Sequence, residues 1–256
     1  MLDSLVAGAL DDAAERREFR SLAVVEAEAL ARPAALDVVS ALAPSGWVKI
    51  IAEVKRASPS RGALADIADP AALAVSYETG GASAISVLTE GRKFGGSLAD
   101  LEAVRSVVSV PVLRKDFIAE PYQVFEARAA GADLVLLIAA ALDQRLMSEL
   151  HQLIGELGMT ALVETHNADE VSRAVDLGAS VIGVNARDLS TFELDQDLFG
   201  RLADQIPSGV IRIAESAVKT AADVAHYRAA GADVVLVGEA LVTNDPIVTL
   251  REFLNS

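Results

Sequence analysis

The chain has 256 residues, of which 52% are hydrophobic, 23% charged and 4% aromatic, and this composition excludes a disordered or collagen-like protein. It contains no cysteine, which excludes disulfides, cysteine-ligated metals and thiol nucleophiles. The formal net charge of −15 disfavours nucleic acid and anionic membranes as partners. The N-terminus, Met1 to Asp12, lacks the basic residues of a secretory signal, and the longest uncharged apolar run, Leu134–Leu142, is about half a membrane span. We therefore expect a cytoplasmic protein without a membrane segment.

A Gly-Ala pair recurs four times along the chain, and each copy leads into a short apolar run. A glycine that ends a helix in the left-handed conformation, followed by apolar residues, is typical of a helix that leads into a buried parallel strand. The pairs are Gly81-Ala82, Gly131-Ala132, Gly178-Ala179 and Gly231-Ala232. The runs that they predict as strands are Ala84–Leu88, Leu134–Ile138, Val181–Val184 and Val234–Val237.

Four further apolar runs lie about midway between these strands, at Ile50–Val54, Val110–Leu113, Ala161–Val163 and Val210–Ile213. The segments between strands begin with helix-start signals: proline at the first helical position in Asp69-Pro70, Glu120-Pro121 and Asp245-Pro246, and a capping box at Asn167–Glu170.

Eight alternating strands and helices indicate an α/β protein with a parallel sheet. An open eight-stranded sheet is one solution, but the even spacing favours a closed (β/α)8 TIM barrel. We predict one barrel domain over residues 1–256, with residues 1–46 forming an extra N-terminal helical segment packed on the barrel.

Active sites of such barrels lie at the carboxyl ends of the strands, where this chain places many polar residues. Taken singly, a lysine there is more often a solvated rim residue, and a glutamate or asparagine a cap or turn residue. The combination favours a site, because two of only five lysines and three further polar groups end four strands: Glu53, Lys55, Lys115, Glu164 and Asn185. Such a cluster can shift pKa values toward general acid–base use.

Small residues occupy the turns after the last two strands. The first turn is Ser216-Ala217, and the second, Gly238-Glu239, begins with a glycine. In many barrels these turns supply backbone N–H groups to a phosphate, although ordinary strand–helix turns look alike. The histidines His151, His166 and His226 lack metal-ligand spacing, so we expect surface histidines and no metal site.

Seven ordered blocks between about residues 47 and 250 resemble the indole-3-glycerol phosphate synthases, barrel enzymes of tryptophan biosynthesis. The first, Ile51–Gly62, resembles the strand-1 signature of that family. The others are Ser86–Glu90 with Phe94–Ser97, Pro111–Phe117, Ala161–Glu164, Ile182–Leu189, Ala214–Ser216 and Leu236–Glu239.

The resemblance implies a carboxy-lyase that converts 1-(2-carboxyphenylamino)-1-deoxyribulose 5-phosphate to indole-3-glycerol phosphate, with loss of CO2 and water and without a cofactor. We expect a monomer with no obligate partner. Lys115 is similar to the general acid, Glu164 to the general base, and Lys55, paired with Glu53, to the group that holds the carboxylate and donates a proton in dehydration. Asn185 then orients the substrate. The implied catalytic set is Glu53, Lys55, Lys115, Glu164, Asn185 and Ser216.

The resemblance also implies how the substrate is bound. Phosphate contacts fall on Ser58, Ser216, Ala217, Gly238 and Glu239, and the aromatic ring faces Phe94, Phe117, Leu136 and Leu236. Glu215 is expected to pair with the lysines, and Arg187 to offset the negative charge of the substrate.

One residue departs from the family pattern: Ala217 stands where a glycine is usual. We expect Ala217 to have a negative φ, with its N–H still directed at the phosphate, because alanine is the smallest replacement. Two other functions remain open. One is a sugar-phosphate isomerase such as phosphoribosylanthranilate isomerase, and the other is a barrel that binds a phosphate ligand without catalysis.

Overall fold

The computed structural model describes residues 1–59, 61–188, 191 and 193–256, so Ser60 and Leu189 of the resembling blocks lie outside the described residues. Eight parallel strands close into a barrel in which each strand pairs with its neighbours along the chain and the last pairs with the first, which excludes the open sheet. We number them β1 Lys49–Val54, β2 Ala84–Leu88, β3 Val112–Lys115, β4 Leu134–Ile138, β5 Thr160–Thr165, β6 Val181–Asn185, β7 Ile211–Glu215 and β8 Val234–Val237.

The third strand begins and ends two residues later than predicted, at Val112–Lys115 instead of Val110–Leu113. Pro111 has no N–H to donate to a ladder, whereas Arg114 and Lys115 pair with Val87 and Leu88 of β2. The charge of Arg114 is tolerated in the strand because its guanidinium, fully buried, lies 3.0 Å from Asp116. A prediction from apolar residues alone therefore places this strand too close to the N-terminus.

Helices follow the strands around the barrel. They are α4 Pro70–Gly80, α5 Leu98–Arg105, α6 Pro121–Ala130, α7 Gln144–Glu156, α8 Ala168–Asp176, α9 Leu198–Leu202, α10 Ala221–Ala229, α11 Glu239–Val242 and α12 Pro246–Leu254. The four repeat glycines all have φ between 77° and 103°, which confirms their predicted left-handed conformation. Asp69, Glu120 and Asp245 are helix N-caps followed by proline, as predicted.

Three helices precede the barrel: α1 Leu2–Phe19, α2 Leu22–Ala31 and α3 Val38–Leu42. Val38 and Leu42 of α3 join the apolar cluster inside the barrel, where Lys49 Nζ at the start of β1 donates to the carbonyl of Ala41 over 2.8 Å. The segment thus closes the amino end of the barrel. Farther out, α1 and α2 pack on α6 through a small cluster formed by Ala13, Val25, Ala29, Tyr122 and Ala129.

Two apolar layers hold the fold together. The larger lies between the strands and the surrounding helices, and the smaller fills the barrel with Ile51, Leu113, Leu134 and Leu162 among others. Aliphatic residues dominate both layers, as the 4% aromatic content requires. Within the described residues, no helix is both long and apolar enough to cross a membrane.

Candidate active site

A cleft of about 1270 Å³, open to solvent, lies at the carboxyl ends of the strands. All sixteen residues that the sequence singled out contribute to its lining. They are Glu53, Lys55, Ser58, Phe94, Lys115, Phe117, Leu136, Glu164, Asn185, Arg187, Glu215, Ser216, Ala217, Leu236, Gly238 and Glu239. The barrel therefore brings together side chains that are up to 186 positions apart, from Glu53 to Glu239.

Lys115 occupies the centre of the cleft. Its Nζ lies 2.7 Å from Glu164 Oε2 and 2.5 Å from Glu215 Oε2, and its side chain is only 13% exposed. The turn that presents it is fixed by Asp116, which accepts hydrogen bonds from Thr89 Oγ1 at 2.6 Å, from Arg114 at 3.0 Å and from the N–H of Phe117 at 2.8 Å. A buried polar network at the edge of the cleft thus holds the chain next to Lys115 in place.

The charges of this group depend on each other. Burial acts to lower the pKa of Lys115, but Glu164, Glu215 and Glu53 outweigh it and raise that pKa, so the ammonium is charged at neutral pH. Although burial opposes ionisation, Lys115 and His166 hold the pKa of Glu164 well below its usual range. Burial and the neighbouring Glu164 raise the pKa of Glu215 to about 8. The surroundings therefore favour ionisation of Glu164 and oppose that of Glu215, although both carboxyl groups contact the same ammonium.

A second lysine–carboxylate pair lies beside the first, with Lys55 Nζ 2.6 Å from Glu53 Oε2. Two glycines leave room for the carboxylates of Glu53 and Glu215. A Cβ on Gly238 would lie 2.5 Å from Glu53 Oε2 and 2.9 Å from Lys55 Nζ, and one on Gly183 would collide with Glu215. Gly238, singled out for phosphate contact, is thus also required for close approach to the Glu53–Lys55 pair.

Asn185 connects Glu164 to the neighbouring turn. Its Oδ1 accepts hydrogen bonds from Ser216 Oγ at 2.7 Å and from the N–H of Arg187 at 3.0 Å. Its Nδ2 is thereby turned toward Glu164 Oε1, to which it donates over 3.2 Å. Asn185 and Ser216 can therefore orient the carboxylate as well as a ligand.

One wall of the cleft is apolar. The rings of Phe94 and Phe117 lie 6.1 Å apart. Leu136 of β4 and Leu236 of β8 also line the cleft and belong to the same apolar cluster inside the barrel. The loop that carries Phe94 is shaped by Glu90, whose carboxylate accepts from the N–H groups of residues 92 to 94 over 2.7 to 3.0 Å.

Among the residues of the cleft that the sequence analysis missed are two from the N-terminal segment, Leu2 and Leu5. They belong to α1, whose Asp12 accepts from Arg92 in the Phe94 loop at 2.6 and 2.8 Å. The N-terminal helix thus forms part of the cleft. Apolar periodicity in a terminal helix does not reveal which surface the helix covers.

The opposite wall carries the turns after β7 and β8. Contrary to expectation, Ala217 has a φ of 57°, and Ser216 has a φ of 69°. The expectation was wrong because two consecutive residues, Ser216 and Ala217, adopt the left-handed conformation in the turn from β7 to α10, and the small size of alanine does not by itself bring φ back to a negative value. The N–H groups of Ala217, Gly238 and Glu239 donate to no acceptor among the described residues.

Cations flank these turns. Arg61 lies 2.8 Å from Glu239, and Arg187 lines the cleft nearby. Burial and the proximity of Arg61 lower the pKa of Arg187, while Glu239 opposes this shift. Donors and positive charge at this wall suit a phosphate or carboxylate ligand.

His166 is not the surface residue that we predicted: its side chain is only 12% exposed and lies between two carboxylates. Its Nε2 is 3.3 Å from Glu164 Oε1 and its Nδ1 is 3.1 Å from Glu170 Oε2. The capping box predicted at Asn167–Glu170 forms only in part. Asn167 does cap α8 by accepting from the N–H of Glu170 at 2.9 Å, but the Glu170 carboxylate engages His166 instead of completing the box. The described residues contain no group of three His, Cys, Asp or Glu side chains that could hold a metal ion.

Solved structures with low sequence identity share this fold. The N-acetylmannosamine-6-phosphate 2-epimerase from Clostridium perfringens superposes with a TM-score of 0.62 at 15% identity, covering 85% of this chain and 96% of that chain. KGPDC from Streptococcus mutans gives a TM-score of 0.61 at 15% identity, covering 82% and 96%. Both likenesses concern the barrel fold alone.

Sequence relatives are much closer. The indole-3-glycerol phosphate synthase of Leifsonia xyli subsp. xyli is 73% identical over 253 residues, which cover 99% of this chain and 97% of the relative. The enzyme of that name from Mycobacteroides abscessus is 61% identical, covering 96% and 90%. The family model for indole-3-glycerol phosphate synthase matches residues 2–253, and the chain therefore belongs to the indole-3-glycerol phosphate synthase family.

Proposed function

We propose that this chain catalyses the reaction of its family, the closure of 1-(2-carboxyphenylamino)-1-deoxyribulose 5-phosphate to indole-3-glycerol phosphate with release of CO2 and water. The observation that carries the assignment of residues is the position of Lys115, held between Glu164 and Glu215 next to the Glu53–Lys55 pair. An acid, a base and a second cation in one buried cluster are what a reaction with several proton transfers requires.

The cleft offers one surface for each part of the substrate. The aromatic ring would pack against Phe94 and Phe117, and the phosphate would accept hydrogen bonds from the N–H groups of the turns at Ala217 and Gly238. Lys55 would hold the carboxylate. Binding at both ends fixes the ribulose carbonyl near Lys115 and so supplies proximity as well as charge.

In ring closure, the ring carbon that carries the carboxylate attacks the ribulose carbonyl carbon while Lys115 gives a proton to the carbonyl oxygen. The carbon–carboxylate bond then breaks, CO2 leaves, and its electron pair restores the aromatic ring. In dehydration, Glu164 takes the proton lost from the ring nitrogen or the adjacent carbon, and the hydroxyl leaves as water with a proton from Lys55.

The carboxylates control the acid strength of Lys115. In the free protein they raise its pKa. A substrate that separates Nζ from Glu164 and Glu215 removes this stabilisation, and burial then lowers the pKa. Lys115 is thus charged when the substrate arrives and a stronger acid once the carbonyl lies against it.

Every proposed role is filled by one chain, so the proposal extends to a monomer that acts without an obligate partner or a cofactor. Its substrate is a phosphorylated metabolite, which fits an enzyme of the cytoplasm. Of the two other functions considered, neither the isomerase nor the non-catalytic barrel accounts for a cleft that contains both lysines and Glu164.

The test is a direct assay of the purified chain with the carboxyphenylamino substrate. We expect indole fluorescence and CO2 to appear in equal amounts, and neither to appear with Lys115→Met. A well-folded wild-type chain that produces no indole, or that consumes substrate without releasing CO2, would contradict the proposal.

A further inference from the structure

We propose that His166 and Glu170 form a positioning pair that keeps Glu164 ionised and oriented while Lys115 is engaged with the substrate. This inference rests on the proposed role of Glu164 as the base. His166 directly follows β5, and Glu170 lies in the first turn of α8, so one strand–helix junction supplies both the base and its support.

The contacts place the imidazole between two carboxylates. Nδ1 lies within hydrogen-bond distance of Glu170 Oε2, at 3.1 Å, whereas Nε2 lies 3.3 Å from Glu164 Oε1, an ion-pair contact without an aligned hydrogen bond. Glu170 is itself held, because its Oε2 accepts from the backbone N–H of His166 at 2.8 Å and its Oε1 accepts from Asn167 Nδ2 at 2.6 Å. The ring therefore cannot turn away from Glu164 without breaking contacts on its far side.

The position of the ring between two carboxylates favours its charged form. A neutral imidazole has only one N–H and no charge to set against Glu164. The imidazolium donates from Nδ1 toward Glu170 Oε2 and presents its positive charge to Glu164 Oε1 at ion-pair distance. Although burial opposes the charge, the two carboxylates raise the pKa of His166 to about 10.

The remaining charged groups around Glu164 explain why such support is needed. From β3, Lys115 Nζ lies 2.7 Å from Glu164 Oε2; from β7, Glu215 faces the same ammonium; Glu53 of β1 is close enough to affect its pKa; and Asn185 of β6 contributes only a neutral amide. When Lys115 turns to the substrate, Glu164 loses its nearest cation. A buried carboxylate without a cation gains a proton readily and ceases to be a base.

His166 supplies the missing charge from the side away from Lys115. Lys115 contacts Oε2, whereas His166 faces Oε1. The imidazolium therefore stays in place when the lysine moves. The pair acts on the reaction only through Glu164, since His166 does not line the cleft.

The first experiment observes the ring directly. The chain has three histidines, so the imidazole signals in a 15N NMR titration can be assigned with His166→Gln and His151→Gln. We expect His166 to carry two N–H protons from about pH 6 to about pH 9, whereas an ordinary histidine loses one of them near pH 6.5, roughly. A neutral ring at pH 7 would overturn the proposal, and this readout does not depend on activity.

The second experiment measures kcat and KM of His166→Gln over a range of pH. We expect kcat to fall roughly tenfold or more, less than the 10²–10⁴-fold contribution of the base itself, with KM little changed. The acidic limb of the kcat profile should move to higher pH by about one unit, because a lost cation raises the pKa of Glu164. If the ring had only a packing role, His166→Gln would lower thermal stability without moving the acidic limb.

Two variants complete the test. Glu170→Gln keeps the side-chain shape but removes one carboxylate, so the pKa of His166 should fall and the ring should lose its second N–H proton at lower pH than in the wild type, as the same 15N NMR titration would show. His151→Gln, on α7, is the matched control and should leave the profile unchanged. If His166→Gln folds and retains kcat within twofold with an unshifted acidic limb, the positioning pair is wrong. Absence of product with the wild type would instead contradict the proposed function.

Discussion

Lys115 owes its chemical properties to its neighbours, because a lysine 13% exposed beside two buried carboxyl groups cannot be exchanged without consequences for all three. Replacing it with methionine removes the proposed general acid and leaves Glu164 and Glu215 without their cation. We expect Lys115→Met to fold but to lose turnover by 10²–10⁴-fold or more, as judged by circular dichroism and the indole assay. Its stability should also drop by about 3–5 kcal/mol, and less at low pH, where both carboxyl groups can be protonated. A loss of turnover below tenfold would show that Lys115 is only a rim residue.

Glu164 offers the complementary test, because glutamine keeps its shape and most of its hydrogen bonds but cannot take a proton. We expect Glu164→Gln to lower kcat by about 10²–10⁴-fold while KM changes much less. Steady-state kinetics at several pH values separates the two constants. If KM alone rises, Glu164 positions the substrate and moves no proton.

At the scale of residues, the sequence located the cleft but not the support behind it. Strand-end position and residue type were sufficient to single out Lys115 and Glu164. His166 was missed because a histidine without ligand spacing gives no sign of its surroundings, although Glu170 four residues later was a weak signal of a local ion pair. Burial is a property of the packed barrel, and no single stretch of sequence encodes it.

Among the elements, the turn after β7 differs most from expectation. Ala217 has a φ of 57°, a conformation that costs a residue with a Cβ roughly 1–2 kcal/mol. We expect Ala217→Gly to raise stability by up to about 1 kcal/mol, the gain being reduced by the greater freedom of glycine in the unfolded chain. Tm should then rise by a few degrees, at about 2–4 °C per kcal/mol for a chain of this size.

The same variant also tests the phosphate turn. The backbone N–H of residue 217 keeps its direction when only a methyl group is lost, so KM should change less than tenfold, equivalent to about 1.4 kcal/mol. Ala217→Val is the opposing control and should lower Tm, because a β-branched side chain fits positive φ worse than alanine. A lower Tm in the glycine variant would contradict the strain argument.

The predicted elements succeed and fail for identifiable reasons. Ala84–Leu88, Leu134–Ile138 and Val234–Val237 match the strands because glycine turns and apolar runs coincide there. β3 was misplaced because its second half is charged and buried at once. The contribution of α1 to the cleft, through Leu2 and Leu5, could not be predicted, since nothing in a helix at the chain terminus specifies the end of the barrel it reaches.

At the scale of the molecule, the overall charge opposes the substrate. The chain has a net charge of −15, and the substrate carries a phosphate and a carboxylate. The cleft offsets this only locally: Lys55, Lys115, Arg187 and Lys219 line it together with five acidic side chains, Glu53, Asp116, Glu164, Glu215 and Glu239. Attraction therefore begins only at contact distance, after the substrate has crossed a repulsive field.

This imbalance predicts an unusual dependence on salt. The screening length falls from about 30 Å at 0.01 M to about 8 Å at 0.15 M ionic strength, so added salt suppresses the distant repulsion before it weakens contacts inside the cleft. We expect kcat/KM to rise by roughly twofold or more over this range of potassium chloride, with kcat nearly constant. Inorganic phosphate at equal ionic strength is the matched control, and it should raise KM because it competes for the turns at Ala217 and Gly238. If kcat/KM falls steadily with chloride instead, the cations of the cleft dominate the field at long range and the substrate is drawn in by attraction.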